Sequence, residues 1–289
     1  MTSHPEVPNR AAVLAAVDGV DSLPTFPEVV AEVREELARP DPEPARVAAF
    51  IEEDAVLAAR FIAVASAPRY SPTAPPRTVR QAVVRVGLAE TARVILAVAV
   101  YERFRDLGPP DARTFWSHGM AVGLLGSTLA RVAGASQEVA ELAYTAGLLH
   151  DLGVIALYHL FPEVSAAIAA RSRKTGRPNH EVERAALGIE HGEVGGRLAA
   201  RWGLPADLVA VVAHHHHPWT APAEHRRSVQ LVHIADFIAK HAGYVRAEDV
   251  PAEDFDAGAW AAWGFSLDDV EAILEKARES GEQAATFFT

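Results

Sequence analysis

The stretch Gly147-Leu148-Leu149-His150-Asp151-Leu152-Gly153 places a histidine and an aspartate at the end of an apolar helical run. The apolar residues before His150 recur at helical spacing, at Val139, Leu142, Ala143, Ala146 and Leu149. A period of 3.6 residues therefore puts His150 on the same core-facing side. Burying such a pair is costly unless the two side chains are hydrogen-bonded to each other or bind a metal ion.

Four other segments also place a histidine or an aspartate on the apolar face of a predicted helix. These residues are His118, His191, His215 with its neighbour His216, and Asp236. Any one of them alone is more often a core side chain that is satisfied by ordinary hydrogen bonds. Because five predicted helices repeat the pattern, the sequence favours a shared metal site built from imidazoles and carboxylates.

Composition limits both the metal chemistry and the class of partner. The chain has 289 residues, of which 49% are hydrophobic, and no cysteine, so any ligand must be nitrogen or oxygen. Such ligands suit iron, manganese, zinc, nickel or magnesium. A formal net charge of −11 argues against nucleic acid or an anionic membrane as the main partner. The N-terminus lacks the pattern of a signal peptide, and the longest apolar run, Val94–Tyr101, is too short to span a bilayer, so we expect a soluble cytoplasmic protein.

The hydrophobic pattern predicts an all-α chain, because no segment alternates apolar and polar residues as a strand does. Pro44 can begin one helix, Asp54 can cap the next, and Gln137–Tyr158 is predicted as one continuous helix. A last helix, with a capping box of Ser266 and Asp269, is predicted for 266–279. The break at 106–110 separates the lobes. The expected organisation is an N-terminal extension (1–22), a smaller helical lobe (23–108), a metal-site lobe (109–241) and a C-terminal helical extension (242–289).

The ordered set of histidines and aspartates resembles the HD superfamily of metal-dependent phosphohydrolases. Within it, the chain is most similar to the HDOD family of bacterial output domains, which is related to the HD-GYP phosphodiesterases. The similarity covers roughly Leu23 to Lys240. The segments that carry it are Leu23–Glu28, Ile51–Arg60, Gln81–Leu88, Glu183–His191 and Trp202–Pro205. This resemblance implies an HD-type multi-helix domain preceded by a smaller helical lobe.

The resemblance also implies roles for the candidate ligands. His118, His150, Asp151 and Asp236 would hold one divalent ion. Asp151, His191 and His215, with His216 as a further candidate, would hold a second ion. Asp151 would bridge the two and would be the catalytic ligand in an active enzyme. Alignment on Trp202–Pro205 leaves His214 and His217 outside the ligand set.

Two departures from the related phosphodiesterases leave the function open. Val154 stands where those enzymes usually carry a phosphate-binding lysine, and Pro218–Pro222 replaces their Gly-Tyr-Pro loop. Arg184, Arg197 and Arg201 could bind phosphate instead, although arginines on polar helices are more often solvated. One hypothesis is therefore a regulatory module that contacts signalling proteins. The other is an active phosphodiesterase or phosphomonoesterase, with a nucleotide or a cyclic dinucleotide as its phosphorylated small-molecule substrate.

Overall fold

The computed structural model describes residues 7–19, 27–67, 70–71, 74–244 and 256–266, together with residues 269, 273 and 275. Among these residues there are helices and turns but no strand, which confirms the all-α prediction. The α-helices are α1 (Arg10–Gly19), α2 (Glu28–Leu37), α3 (Pro44–Glu52), α4 (Ala55–Ala65), α5 (Val79–Val86), α6 (Leu88–Phe104), α7 (Ala112–Val132), α8 (Gln137–Leu149), α9 (Leu152–Leu160), α10 (Pro162–Thr175), α11 (Asn179–Leu187), α12 (His191–Arg201), α13 (Ala206–His214), α14 (Arg226–His241) and α15 (Ala257–Trp263). A short 3-10 helix covers Pro218–Thr220.

Several helix starts are set by the side chains that the sequence analysis identified. Helix α3 begins at Pro44, and the carboxylate of Asp54 accepts hydrogen bonds from the first free N–H groups of α4. The backbone N–H of Ser266 donates to Oδ2 of Asp269 at 2.7 Å, which is half of the expected capping box. Most of the helix predicted for 266–279 lies outside the described residues.

The prediction of one helix over Gln137–Tyr158 is wrong, because the chain turns at His150 and Asp151 between α8 and α9. Nδ1 of His150 donates to the carbonyl of Gly147 at 2.7 Å. The Asp151 carboxylate makes no capping bond to α9.

By length and composition the segment 137–160 could cross a membrane, the one such segment in the part of the chain that the structure describes. About 78% of its apolar window is nevertheless buried inside the protein, as in the core helix of a globular unit.

Backbone contacts divide the chain into two compact units. The smaller unit lies within residues 24–105 and contains α2 to α6. Its core includes Val33, Ile51, Phe61 and Val83, which are almost completely buried. This apolar interior is what holds the five short helices together.

The larger unit contains α1 and α7 to α15 and has two apolar clusters. One cluster joins α7, α8, α13, α14 and α15, and the other joins α1, α9, α10, α11 and α12. Helix α1 packs on α12 and α9, and α15 packs on α14. Both ends of the described chain are therefore tied to helices that carry candidate ligands.

Glycines allow the helices of the larger unit to approach closely beside the His-Asp turn. A Cβ atom at Gly147 would lie 2.6 Å from the backbone nitrogen of Gly123, so α7 and α8 could not pack as they do. A Cβ atom at Gly153 would lie 2.7 Å from the backbone nitrogen of Gly195 and even closer to the carbonyl oxygen of His191. Small residues at these contacts therefore set the separation of α8 from α7 and of α9 from α12.

Candidate metal centre

The first set of candidate ligands converges from α7, the end of α8 and α14. Nε2 of His118 lies 3.1 Å from Oδ1 of Asp236, and Nε2 of His150 lies 4.0 Å from the same oxygen. Oδ2 of Asp151 is 3.2 Å from Nε2 of His150 and 3.8 Å from Nε2 of His118. These four buried side chains surround one small volume.

The second set lies on the other side of Asp151. His191 is the first residue of α12, and its Nε2 atom lies 3.2 Å from Oδ1 of Asp151. His215 and His216 follow directly after α13. Nε2 of His215 is 3.8 Å from the same carboxylate oxygen, and Nε2 of His216 is 2.9 Å from Nε2 of His191.

Asp151 therefore presents one carboxylate oxygen to each set. The structure brings all seven predicted residues together. Within each of two groups the possible ligand atoms lie within 4.8 Å of one another; the groups are His118, His150 and Asp151, and His191, His215 and His216. Each group could hold a metal ion, since imidazole nitrogens and carboxylate oxygens are ordinary ligands for transition metals.

The other ring nitrogen of four of these histidines is held by an acceptor. Nδ1 donates to a backbone carbonyl in His118 (Tyr244, 2.6 Å), His150 (Gly147, 2.7 Å) and His215 (Val212, 3.0 Å). Nδ1 of His191 lies 2.7 Å from Oε2 of Glu183. A carbonyl oxygen can only accept, so in the neutral rings the proton is on Nδ1 and Nε2 carries a lone pair. The fold therefore directs these lone pairs at the Asp151 and Asp236 carboxylates.

Such an arrangement needs a cation. Nε2 of His118 and Oδ1 of Asp236 are both acceptors in the neutral site, yet they lie 3.1 Å apart. Within the described part of the chain, both atoms and Nε2 of His215 are buried without a hydrogen-bond partner. Leaving acceptors unsatisfied costs roughly 1–3 kcal/mol each. A divalent ion or a proton removes this cost, so the donor set fits a metal.

Charges around the site act on its protonation in opposite directions. Burial lowers the pKa of the His191 imidazole, but the carboxylates of Glu183 and Asp151 together outweigh burial and raise that pKa to about 10. Burial alone would raise the pKa of the Asp236 carboxyl, but the ammonium of Lys240 and the imidazoles of His118 and His150 together hold it well below its usual range. Burial also places the pKa of His215 well below its usual value. At neutral pH and without metal, His215 is neutral, whereas His191 carries a proton that a metal ion must displace.

The sequence matches a known domain family. The family model of the HDOD domain matches residues 23–218, which is more than half of the chain. The chain belongs to the HDOD family. The expected resemblance is thereby confirmed.

Solved structures of other proteins share the HDOD fold. An HDOD domain protein of unknown function from Geobacter sulfurreducens is 25% identical, with a TM-score of 0.78, over 94% of this chain and 98% of that one. A Shewanella amazonensis SB2B protein, provisionally named a phosphohydrolase, is 24% identical, with a TM-score of 0.74, over 96% of this chain and 98% of that one. A Treponema pallidum (strain Nichols) protein, named as uncharacterized, is 24% identical over 80% of this chain. The present chain spans only 45% of the length of that relative.

Two residues of this HDOD site were not predicted as site residues. Glu183 accepts from the backbone N–H of His191 and contacts its ring, both at 2.7 Å. Lys240 donates to Oδ2 of Asp236 at 2.7 Å. Lys240 could have been found, because it follows Asp236 by four residues on one helix. The position of Glu183 depends on how α11 packs beside α12, which its own sequence does not reveal.

The remaining histidines of the tract lie outside both groups. Nδ1 of His214 is 2.9 Å from the hydroxyl of Thr220, and Nε2 of His217 is 3.3 Å from a carboxylate oxygen of Glu190. Neither belongs to the two groups, in agreement with the alignment on Trp202–Pro205.

The arginines that could bind phosphate contact other protein groups in the HDOD fold, and Val154 is buried. Arg184 pairs with Glu190 at 2.8 Å, and Arg197 makes two hydrogen bonds to Asp18, although both guanidinium groups are about half exposed. Arg201 donates to a backbone carbonyl of α1. Val154 is 5% exposed and packs in the core.

Proposed function

We propose that this HDOD protein is a regulatory signal-transduction module of the bacterial cytoplasm that holds a divalent transition metal around Asp151. Its partners are signalling proteins or a phosphorylated small molecule. The observation that carries the metal is the buried contact between Nε2 of His118 and Oδ1 of Asp236, two acceptors 3.1 Å apart. A cation between them turns a repulsive contact into two coordinate bonds.

The residues specify the class of metal more closely than its identity. Nitrogen and oxygen ligands suit iron, manganese, zinc or nickel. When bound, such an ion acts as a Lewis acid and lowers the pKa of water. The chain's own contribution is to hold the imidazoles in place: Glu183 orients His191, and backbone carbonyls orient His118 and His150.

The regulatory reading is supported by what surrounds the ligands. A phosphoester substrate needs cations that neutralise its charge in the transition state. Val154 supplies none at its position, and Arg184 and Arg197 are paired with carboxylates. A metal here then stabilises one arrangement of α7, α9, α12 and α14, and that arrangement is what a signalling partner recognises.

An active phosphohydrolase is the second candidate, and one observation favours it. The two oxygens of Asp151 face different ligand groups, at 3.2 Å from His150 and 3.2 Å from His191. A carboxylate in this position can bridge two metal ions, as two-metal phosphoester hydrolysis requires. These residues match the ligand pattern of the enzyme class, whereas Val154 stands where its phosphate-binding lysine would be.

The metal is tested on protein purified without a polyhistidine tag and loaded with manganese, iron, zinc or nickel. His215→Ala removes a buried candidate ligand, and His214→Ala removes its neighbour, which contacts Thr220 instead. We expect metal content by mass spectrometry to fall strongly in His215→Ala and in Asp151→Ala and to persist in His214→Ala. Equal metal content in His215→Ala, Asp151→Ala and the wild type would refute the site.

Turnover separates the two functions. The regulatory proposal predicts no hydrolysis of an aryl phosphodiester by fully metal-loaded protein. Hydrolysis that His191→Ala abolishes and His214→Ala retains would establish the phosphohydrolase instead.

A further inference from the structure

A pocket of about 470 Å³ lies beside the candidate metal centre. Residues that line it include His216, Trp219, Thr220, His233 and Asp256, and we call it the Trp219 pocket. Its volume lies within the range of roughly 300–1,000 Å³ that is typical of small-molecule sites. The pocket is therefore large enough for a metabolite and is not a packing defect.

The Trp219 pocket adjoins the part of the metal centre that is nearest to solvent. The other candidate ligands are buried, whereas His216 is only partly buried and lines the pocket. Nε2 of His216 lies 2.9 Å from Nε2 of His191. A molecule in the pocket therefore lies against a residue of the second ligand group.

The chemistry of the pocket suits a flat ring. The indole of Trp219 is 51% exposed, which is unusual for so large an apolar side chain. Its N–H donates to Asp256, and the guanidinium of Arg226 lies 6.0 Å from its ring, so the indole is held in place. Imidazoles of His216 and His233 supply further aromatic surface. A fixed, exposed indole is the kind of platform on which nucleobases stack.

The charge of the protein indicates where an attached phosphate would lie. The formal net charge is −11, so the surface as a whole repels anions. In the pocket the carboxylate of Asp256 is already used by Trp219 and by the first turn of α15. The guanidinium of Arg226 lies near the indole but donates to the carbonyl of Ala221, so a metal beside His216 would attract a phosphate more strongly.

We propose that the Trp219 pocket binds the base of a nucleotide whose phosphate is directed to the metal at the His191, His215 and His216 group. This inference rests on the proposed function for its metal, and it names the class of small molecule to which the module responds. The indole provides the stacking surface for the base, and the metal provides the charge for the phosphate.

The test compares ligands that carry one or both parts of a nucleotide. Full-length protein, with its metal content measured in the same sample, is titrated calorimetrically with AMP, GMP, CMP, UMP, ribose 5-phosphate and the four corresponding nucleosides. We expect at least one nucleotide to bind about tenfold more tightly than ribose 5-phosphate, the gain typical of one stacked base. Trp219→Ala should remove that advantage without changing metal content or ribose 5-phosphate binding. Trp219→Phe keeps an aromatic face and should retain most of the advantage.

The outcomes separate this inference from the proposed function. If metal-loaded wild type binds no nucleotide more tightly than ribose 5-phosphate, or if the preference survives Trp219→Ala, the pocket assignment is wrong. If the protein takes up no metal at all, the proposed function fails. The four nucleosides then decide the pocket alone: binding of at least one that is lost in Trp219→Ala supports the base site, and binding of none overturns it.

Discussion

Replacing Gly153 by alanine should force α9 and α12 apart and disturb the site without replacing a ligand side chain. The added Cβ atom would lie 2.7 Å from the backbone nitrogen of Gly195 and closer still to the carbonyl oxygen of His191. Ordinary contact begins near 3.4 Å, so the helices must separate by roughly 0.7 Å or more. Gly153 is two residues from Asp151, so this shift acts directly on the 3.2 Å contact between Oδ1 of Asp151 and Nε2 of His191.

Overpacking of this kind costs about 1–3 kcal/mol of folding free energy. We expect Gly153→Ala to lower the free energy of unfolding in urea by that amount and to reduce metal content. Gly19→Ala is the matched control, because Gly19 is also helical and its added Cβ would have no atom within 4 Å. The control should be as stable as the wild type or slightly more stable. If Gly153→Ala keeps wild-type stability and metal content, the close approach of α9 and α12 does not position the site.

Three other predictions follow from the charges and packing of the site. Burial lowers the pKa of His191, but Glu183 and Asp151 together raise it to about 10, so metal-free protein carries this proton at pH 7. Metal affinity should therefore rise as the pH is raised from 6 to 9. Calorimetry in buffers of different ionisation enthalpy should detect the release of about one proton when the metal binds. Binding without proton release would contradict the protonation of His191. Lys240→Met leaves the buried carboxylate of Asp236 without its ion-pair partner. The stability of metal-free protein should fall by roughly 3 kcal/mol, and that of metal-loaded protein by less. Thermal unfolding with and without a chelator measures both losses. Val154→Lys should lower the free energy of unfolding by about 1–3 kcal/mol. It should not start phosphodiester hydrolysis, because position 154 faces a small cavity that Glu183 also lines. A gain in turnover would instead show that a missing lysine silences the enzyme.

The sequence predicted the helices and the convergence of the ligands for a common physical reason. A histidine or aspartate on an apolar face must be buried with that face, and five such faces can share one core. His118 and Asp236 illustrate this, since they lie far apart in the chain and meet at 3.1 Å. Periodicity indicated that these side chains are buried, and the resemblance to the HD superfamily implied which of them meet.

Features that depend on the partner of a helix could not be predicted in the same way. The turn at His150 and Asp151 interrupts an apolar pattern that continues on both sides. The sequence on the two sides of the turn therefore looks like that of one helix. Glu183 lies on α11, which mixes charged and apolar residues. Its contact with the His191 ring can be recognised only once α11 is placed beside His191. The exposed indole of Trp219 likewise becomes a pocket wall only through its contact with Asp256, 37 residues later.

Anomalous diffraction from crystals of metal-loaded, untagged protein tests the central claim most directly. The account predicts a peak at the absorption edge of the metal, about 2.0–2.2 Å from Nε2 of His118 and an oxygen of Asp236. A peak only at the partly buried residues His214 or His217, or no peak among the seven candidate ligands in loaded crystals, would contradict it.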